Sequence, residues 1–220
     1  MLEALKTANP HIPLYAVTDA AFAPYGRVLE GETDALFAAL HETEIPAEGN
    51  CYVASHPALE TVDVISAWQH AVYGNMAVQA GYCNGSGDTL NAMEYHKGSE
   101  VNCSDTGLVL LLALPEDLKD GRLKSADVKG FYLPPRVAVE IHPRVLHFAP
   151  CRISKDGFRC LVVLPAGTNA PLDHIDTTAP GEEALLWMTN KWMTCHPDSP
   201  QAQKGAFVGI EGENLKVHLP

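Results

Sequence analysis

Three residues near the middle of the chain have side chains that could bind a metal ion. Glu94, His96 and Glu100 fall within seven positions of the stretch NAMEYHKGSEVN. If this stretch begins as a strand, Glu94 and His96 share one face, because alternate residues of a strand point the same way. Carboxylate and imidazole groups together are ligands of divalent first-row metals in open sites. Since a carboxylate in an apolar interior is costly without a cation, the group predicts a metal site.

A second group of the same residue types lies further along the chain. Glu140, His142 and His147 all fall within the stretch VAVEIHPRVLHFAP. A site shared by both groups needs strands that bring distant residues together. We interpret the other histidines as surface or structural residues; they are His11, His41, His56, His70, His174, His196 and His218.

Short strands separated by turns are predicted from about residue 75 onward. The stretches MAVQAGYC and TLNAMEYH flank the turn signal NGSGD, which predicts a hairpin. Further strands are predicted in TGLVLLLALP, FYLPPRVAVEIHP, VLHFAPCRI and FRCLVVLPAG. Many short strands of this kind indicate a mainly β protein, an antiparallel sandwich or small barrel. A barrel interior suits a metal site, because strands project ligands rigidly toward a common centre.

The segments before and after the predicted strands have different sequence patterns. Residues 32–42 have the apolar spacing of an amphipathic helix, whereas residues 61–74 fit either a helix or a strand. The stretch GEEALLWMTNKWM, residues 181–193, is predicted to be a helix, and a last hairpin is predicted around Gly212. We therefore expect a single domain over residues 1–220. It has a mixed α/β segment at about 1–74, a barrel core at about 75–170, and a C-terminal helix and hairpin at about 171–220.

Composition excludes some partners. The formal net charge is −12 and no run of basic residues occurs, which argues against nucleic acid. The longest apolar run, residues 108–115, is too short to span a bilayer, and the first 15 residues have no apolar core of a signal peptide. The six cysteines are widely spaced and form no CxxC pair. We expect reduced thiols in a cytoplasmic protein with neither nucleic acid nor membrane as a partner.

The spacing of the first group resembles a known motif. Glu94-x-His96-x3-Glu100-x6-Gly107 is similar to the first motif of the cupin superfamily, which reads His-x-His, three or four residues, Glu, six residues, Gly. Glu94 stands where cupins usually have the first histidine. The second cupin motif, Pro-x-Gly-x2-His, is represented here only by its histidine, His147.

This resemblance implies a cupin-type fold with a bound metal. The implied ligands are Glu94, His96, Glu100 and His147. The mixed oxygen and nitrogen donors leave the ion open among Mn, Fe, Ni and Zn.

A closer likeness is with ureidoglycolate lyases, a cupin family. MEYHKGSE resembles their Glu-x-His and Gly-Ser-Gln segment, with Glu100 in place of glutamine. EIHPRVLH resembles their Asn-Tyr-His-x-Gly-x-Trp-His stretch, with Glu140 in place of asparagine. Residues 21–31 resemble their N-terminal Phe-x-x-Tyr-Gly-x-Val stretch. The chain also resembles an uncharacterised bacterial cupin family described only as a domain of unknown function.

A metal at such a site implies lyase or isomerase chemistry. The ion would polarise a hydroxy acid or hydroxy-carbonyl group, and a general base would remove a proton. Glu140 and His142 are the candidate bases. Arg136 and Arg144 could hold a substrate carboxylate, and Tyr95 could donate a hydrogen bond.

Three functions stay open from the sequence. The first is a metal-dependent lyase or isomerase acting on a small polyhydroxylated or ureido acid. The second is a non-catalytic cupin that binds a sugar or a metal, and the third is a structural barrel without metal. In the first case the partner is a small-molecule substrate. The apolar residues from Trp187 to Trp192 also predict self-association, as a homodimer.

Overall fold

The structure is a computed structural model that describes all 220 residues. It is mainly β, with few helices and several antiparallel sheets, as predicted. The helices are α1 (Leu2–Ala8), α2 (Asp34–His41), α3 (Pro57–Glu60), α4 (Asp63–Ala71) and α5 (Pro200–Gln203). The strands are β1 (Leu14–Ala16), β2 (Gly26–Leu29), β3 (Asn50–Val53), β4 (Val78–Gly85), β5 (Ala92–Tyr95), β6 (Glu100–Ser104), β7 (Leu108–Leu112), β8 (Leu123–Lys124), β9 (Lys129–Leu133), β10 (Ala138–Ile141), β11 (Cys160–Pro165), β12 (Leu186–Met188), β13 (Lys191–Cys195) and β14 (Ile210–Glu211).

One face of the molecule is built on a six-stranded sheet. Its strand order is β2-β10-β6-β11-β4-β3, and every neighbouring pair is antiparallel. Helices α2, α3 and α4 cover its outer side, where Leu36 and Trp68 belong to one buried cluster with Val101 and Val163 of the sheet. Side chains of opposite parity on the same strands point inward.

A second, less regular sheet faces the first. It consists of β1-β9-β7 and β12-β13-β5, which residues 146–151 join into one layer. Paired backbone hydrogen bonds run from this segment to both sides. Leu146 and Cys151 bond to Ala113 and Val109, and His147 bonds to Glu94.

The main core lies between the two sheets. Leu110 and Phe131 of the second sheet belong to one buried cluster with Val139 and Val162 of the first. A separate cluster covers the outer side of the second sheet, built by α1, Leu14 and residues near the C-terminus. The fold is therefore a two-layer arrangement with helices outside, and ligand side chains can converge between the layers.

Several local predictions are confirmed. The amphipathic segment at 32–42 contains α2, as predicted. The segment at 61–74, for which the sequence left helix and strand open, contains α4. β7 is buried along its whole length, as expected from its continuous apolar sequence. All six cysteines are free thiols, of which only Cys51 is exposed.

The predicted C-terminal helix is wrong. Residues 181–193 form a 3-10 turn at Gly181–Leu185, then β12 and the start of β13. Helical spacing of the apolar residues was outweighed by pairing of β13 with β5, which gives this segment a sheet partner. The last hairpin is also wrong, because β14 pairs in parallel with β8.

The predicted hairpin across the turn NGSGD is wrong as well. β4 belongs to the six-stranded sheet, whereas β5 pairs with β13 in the opposite layer. The turn is present, but the chain crosses there from one sheet to the other. The predicted strand in VLHFAPCRI is reduced to the isolated bridges of residues 146–151. None of the helices combines the length and the apolar character needed to cross a membrane.

Candidate metal centre

The site is formed where β5 meets residues 146–151. Met93 and Tyr95 pack in the outer cluster of the second sheet, so Glu94 between them points inward. His96 follows the end of β5 with the same parity. His147 is the backbone partner of Glu94, with N···O distances of 2.7 and 2.9 Å between the two residues. The pleat of one layer thus brings three ligand side chains to one place.

The side chains of Glu94, His96 and His147 converge. One ligand atom from each of them lies within 4.8 Å of the other two, and all three residues are buried. Nε2 of His96 lies 3.7 Å from Oε1 of Glu94. The two imidazole rings have centroids 5.2 Å apart.

Glu100 reaches the same place from the opposite layer. It is the first residue of β6, and its Oε2 atom lies 3.5 Å from Nε2 of His96 and 3.1 Å from Nε2 of His147. Its Oε1 atom accepts a hydrogen bond of 2.8 Å from Nδ2 of Asn102. All four predicted ligands are therefore neighbours.

Both imidazoles are oriented by backbone carbonyls. Nδ1 of His96 lies 2.7 Å from the carbonyl oxygen of Asn190, and Nδ1 of His147 lies 2.9 Å from that of Val145. A carbonyl oxygen only accepts, so each Nδ1 carries the hydrogen and each neutral ring has its lone pair on Nε2. Metal-binding histidines are usually held in this way. Nε2 of His96 is buried without a hydrogen-bond partner, so the donor set fits a divalent cation.

The electrostatics of the metal-free site are dominated by one buried pair. Burial alone would raise the pKa of the Glu100 carboxyl, but the neighbouring His147 and His96 hold that pKa well below its usual value. Burial alone would lower the pKa of His147, but the carboxylates of Glu100 and Glu94 outweigh it and raise the pKa to about 9. Without metal, His147 is therefore a cation at neutral pH.

A cavity of about 460 Å³ opens beside these residues. Its lining includes Glu94, Glu100 and His147, which places the candidate ligands in its wall. Most of the other polar lining is uncharged; it comprises Asn50, Tyr52, Asn91, Asn102, Asn169 and Gln201. Burial raises the pKa of both Tyr52 and Cys83 to about 12, so the phenol and the thiol stay protonated near neutral pH.

Lys191 is the residue that the sequence analysis missed. Its Nζ atom contacts Oε2 of Glu94, and its side chain lines the cavity. The preceding residue, Asn190, supplies the carbonyl that orients His96. Both residues lie in the segment predicted as a helix, so the sequence carried no local signal for either.

The structure does not bring the predicted general bases into the cavity. Glu140 lies opposite Val101, on the helix-covered side of the six-stranded sheet. It accepts hydrogen bonds from Nε of Arg27 at 2.6 Å and from Oγ of Ser99 at 2.7 Å. His142 is half-buried and is not part of the cavity lining. A catalytic role for either residue stays a prediction without support from the cavity geometry.

The predicted substrate-binding residues also lie elsewhere. Arg136 pairs with Asp34 at the surface. Tyr95 and Arg144 both donate hydrogen bonds to Oε1 of Glu182, at 2.7 and 3.1 Å. Tyr95 has the opposite parity to Glu94 and so points away from the cavity. The Tyr95 contact links the 3-10 turn at Gly181–Leu185 to β5, and the Arg144 contact links it to the segment after β10.

Comparisons with known proteins identify the family. The profile of the family described as "Domain of unknown function (DUF4867)" matches residues 14–215. A search of curated proteins gave no match. The likeness to ureidoglycolate lyases stays a prediction.

Solved structures of cupin proteins show low similarity. A tryptophan-to-phenylalanine variant of Bacillus subtilis oxalate decarboxylase is 12% identical, with 82% of this chain and 46% of that chain covered and a TM-score of 0.36. A cupin 2 domain-containing protein from Halorhodospira halophila is 15% identical, with 64% of this chain and 77% of that chain covered and a TM-score of 0.31. The chain spans less than half the length of the oxalate decarboxylase. The family profile covers most of the chain, which therefore belongs to the DUF4867 family.

Proposed function

We propose that the protein is a metal-dependent enzyme of the cupin type with lyase chemistry. Its substrate is a small polyhydroxylated or ureido acid. One observation carries this proposal, namely the buried convergence of Glu94, His96 and His147 with both imidazoles turned to present Nε2. A structural barrel would have no need of that arrangement, since it leaves Nε2 of His96 buried without a hydrogen-bond partner.

The chain supplies four ligands and an access route. Glu94, His96 and His147 would hold the ion from one layer, and Glu100 from the other. This mixed donor set suits Mn, Fe, Ni or Zn. When bound, a divalent ion supplies Lewis acidity toward a hydroxyl or carbonyl oxygen. The cavity beside the ligands gives a small molecule access to the buried ligand side chains.

A sugar isomerase or epimerase of the same type is the alternative enzyme. The amide-rich lining, which includes Asn50 and Asn91, suits hydroxylated ligands of either kind. A non-catalytic protein that binds a sugar or metal is the second candidate. The contact of Lys191 with Glu94 favours this non-catalytic candidate, because Lys191 balances part of the buried negative charge without a metal.

Elemental analysis of the purified protein tests the proposal. We expect about one divalent metal ion per chain in the wild type. His96→Ala should lose it, since that variant removes a ligand without touching the backbone bridge between Glu94 and His147. Hydroxy acids, ureido acids and sugars are then screened for turnover by NMR. A folded wild-type protein that takes up no divalent metal would contradict the proposal.

A further inference from the structure

Lys191 is the only lysine or arginine in the lining of the cavity. We propose that the cavity binds a small acid carrying one negative charge and several hydrogen-bond donors, with Lys191 as the residue that holds its acid group. This inference rests on the proposed function, because the charge of the bound ion enters the argument. It favours hydroxy or ureido acids over neutral sugars.

The position of Lys191 suits this role. It is the first residue of β13, and its side chain is only 13% exposed. Its Nζ atom contacts Glu94 and lies 5.7 Å from the centre of the Phe148 ring, which also lines the cavity. The ammonium group is therefore held at the cavity wall next to the candidate metal ligands.

The two oxygens of Glu94 have different neighbours. Oε1 is the atom that lies 3.7 Å from Nε2 of His96, whereas Oε2 is the atom that contacts Lys191. One carboxylate can thus serve the ion with one oxygen and Lys191 with the other. An acid group next to the ion would meet the ammonium group of Lys191 as well.

The charges at the cavity favour an anion. Its ionised lining consists of Glu94, Glu100 and Lys191, since metal-bound histidines are neutral. Two carboxylates, one ammonium group and a divalent ion leave one net positive charge. The chain as a whole has a formal charge of −12, so the charge of the cavity would have the opposite sign to the net charge of the protein. A monoanion would cancel this charge beside the buried ligand residues, which a neutral sugar would not do.

Two amide oxygens indicate what else the ligand carries. Oδ1 of Asn169 and Oε1 of Gln201 are buried without a hydrogen-bond partner, and both residues line the cavity. The other end of the Asn169 amide is already used, since Nδ2 donates to the Tyr52 hydroxyl at 3.0 Å. Unpaired buried acceptors are costly, so a small side-chain shift that turns either oxygen into the cavity would gain a hydrogen bond from a donor on the ligand. Hydroxyl groups and ureido N–H groups both meet this requirement.

Calorimetry with two matched pairs of compounds tests the inference. The probes are glycerate against glycerol, and N-carbamoylglycine against its amide, each added to protein loaded with Mn²⁺. We expect at least one acid to bind about tenfold or more tightly than its neutral partner. Lys191→Gln should lower the affinity for that acid by about 10- to 100-fold, as expected for loss of a charged hydrogen bond. The affinities for the neutral compounds should not change. Lys191→Arg should retain the preference.

A control and a second readout separate the possible outcomes. Lys97→Gln removes the same charge outside the cavity, where Lys97 pairs with Glu182, and should change nothing. Metal content and thermal unfolding are measured for every variant, and Lys191→Gln should keep its metal. If metal binds but neither acid exceeds its neutral partner, the inference is wrong while the metal site stands. If Lys191→Gln loses metal, Lys191 only positions Glu94 and the inference is wrong. If the wild type binds no metal, the proposed function fails and this inference with it.

Discussion

Nε2 of His147 lies 3.1 Å from Oε2 of Glu100, although the two residues belong to opposite layers of the fold. Both side chains are buried, and together they form a charged pair in the metal-free protein. A divalent ion at this position would take the place of the proton on His147. The pair therefore links metal binding, protonation and stability.

Metal affinity should depend on pH because of this proton. With the pKa of His147 raised to about 9, binding at neutral pH must release the proton from Nε2. We expect the affinity for Mn²⁺ to rise about tenfold per pH unit between about pH 6.5 and 9, and then to level off. Calorimetric titration in buffers of different ionisation enthalpy measures both the affinity and the proton release. An affinity that is constant over this range would contradict the expectation.

The stability of the metal-free protein should fall as the pH rises, whereas the metal affinity should rise. The folded-state pKa of His147 lies above its unfolded value of about 6.5. The stabilisation from the charged pair is therefore fully present below about pH 6.5 and is lost as the pH rises through about 9. Urea unfolding in the presence of a chelator should show a falling free energy of unfolding across this window. His147→Gln should remove most of this slope, and retention of the full slope would assign it to other groups.

His147→Ala should abolish metal binding because it removes a ligand. Loss of a residue that only hydrogen-bonds to a ligand typically lowers metal affinity by roughly 10- to 100-fold, and the effect here should be larger. The nearby variant His142→Ala is the matched control, because His142 is not part of the cavity lining. It should keep a full complement of metal. Elemental analysis after dialysis measures both. Equal metal content in the two variants would exclude His147 as a ligand.

Asn190 should matter for the metal although its side chain does not reach it. Its backbone is in the left-handed region, with φ of 54°, and its carbonyl accepts from Nδ1 of His96. Its side-chain oxygen accepts from the Lys97 amide at 3.0 Å, and its side-chain nitrogen donates to Oγ1 of Thr168 at 2.9 Å. Asn190→Ala strains the backbone and removes both contacts, and should lower metal affinity by about 10- to 100-fold.

A second variant at this position separates the two causes. Asn190→Gly keeps the backbone conformation accessible and removes only the side-chain contacts. Its metal affinity, measured by titration, should lie between those of the wild type and Asn190→Ala. If both variants bind metal as the wild type does, neither the side-chain contacts nor the backbone strain at residue 190 affects the metal site.

Glu140→Ala should affect stability and leave metal binding intact. Glu140 is buried and accepts hydrogen bonds from Ser99 and Arg27, but the Arg27 side chain is 56% exposed, so the ion pair itself contributes little. Loss of these contacts should cost about 1–3 kcal/mol in the free energy of unfolding. Urea denaturation and elemental analysis together check this. Loss of metal without loss of stability would place Glu140 in the site after all.

The convergence of Glu94 and His96 could be predicted because strand parity is a local property. Two residues with the same parity share a face wherever the strand lies, and only the choice of the inner face had to be inferred from the cost of burying a carboxylate. His147 was predicted through its motif position. Its place beside Glu94 depends on backbone pairing between residues that are distant in the chain.

Lys191 and Asn190 could not be predicted, because their place in the site also depends on pairing between distant parts of the chain. Their segment has apolar residues at helical spacing, and local pattern alone favours a helix there. Pairing with β5 makes it a strand instead, and this pairing joins Met193 to Glu94 across much of the sequence. The side of the sheet on which Glu140 lies could not be predicted either, because its orientation relative to Glu100 depends on the register of β10 against β6.

The place of β5 between residues 146–151 and β13 also bears on how the protein folds. Its neighbours on both sides come from much later in the chain, so each pairing must close a long loop. Contacts of such high sequence separation form slowly. The ligands therefore meet only when remote parts of the chain have come together, and capture of a metal ion during refolding would mark the end of the process rather than its start.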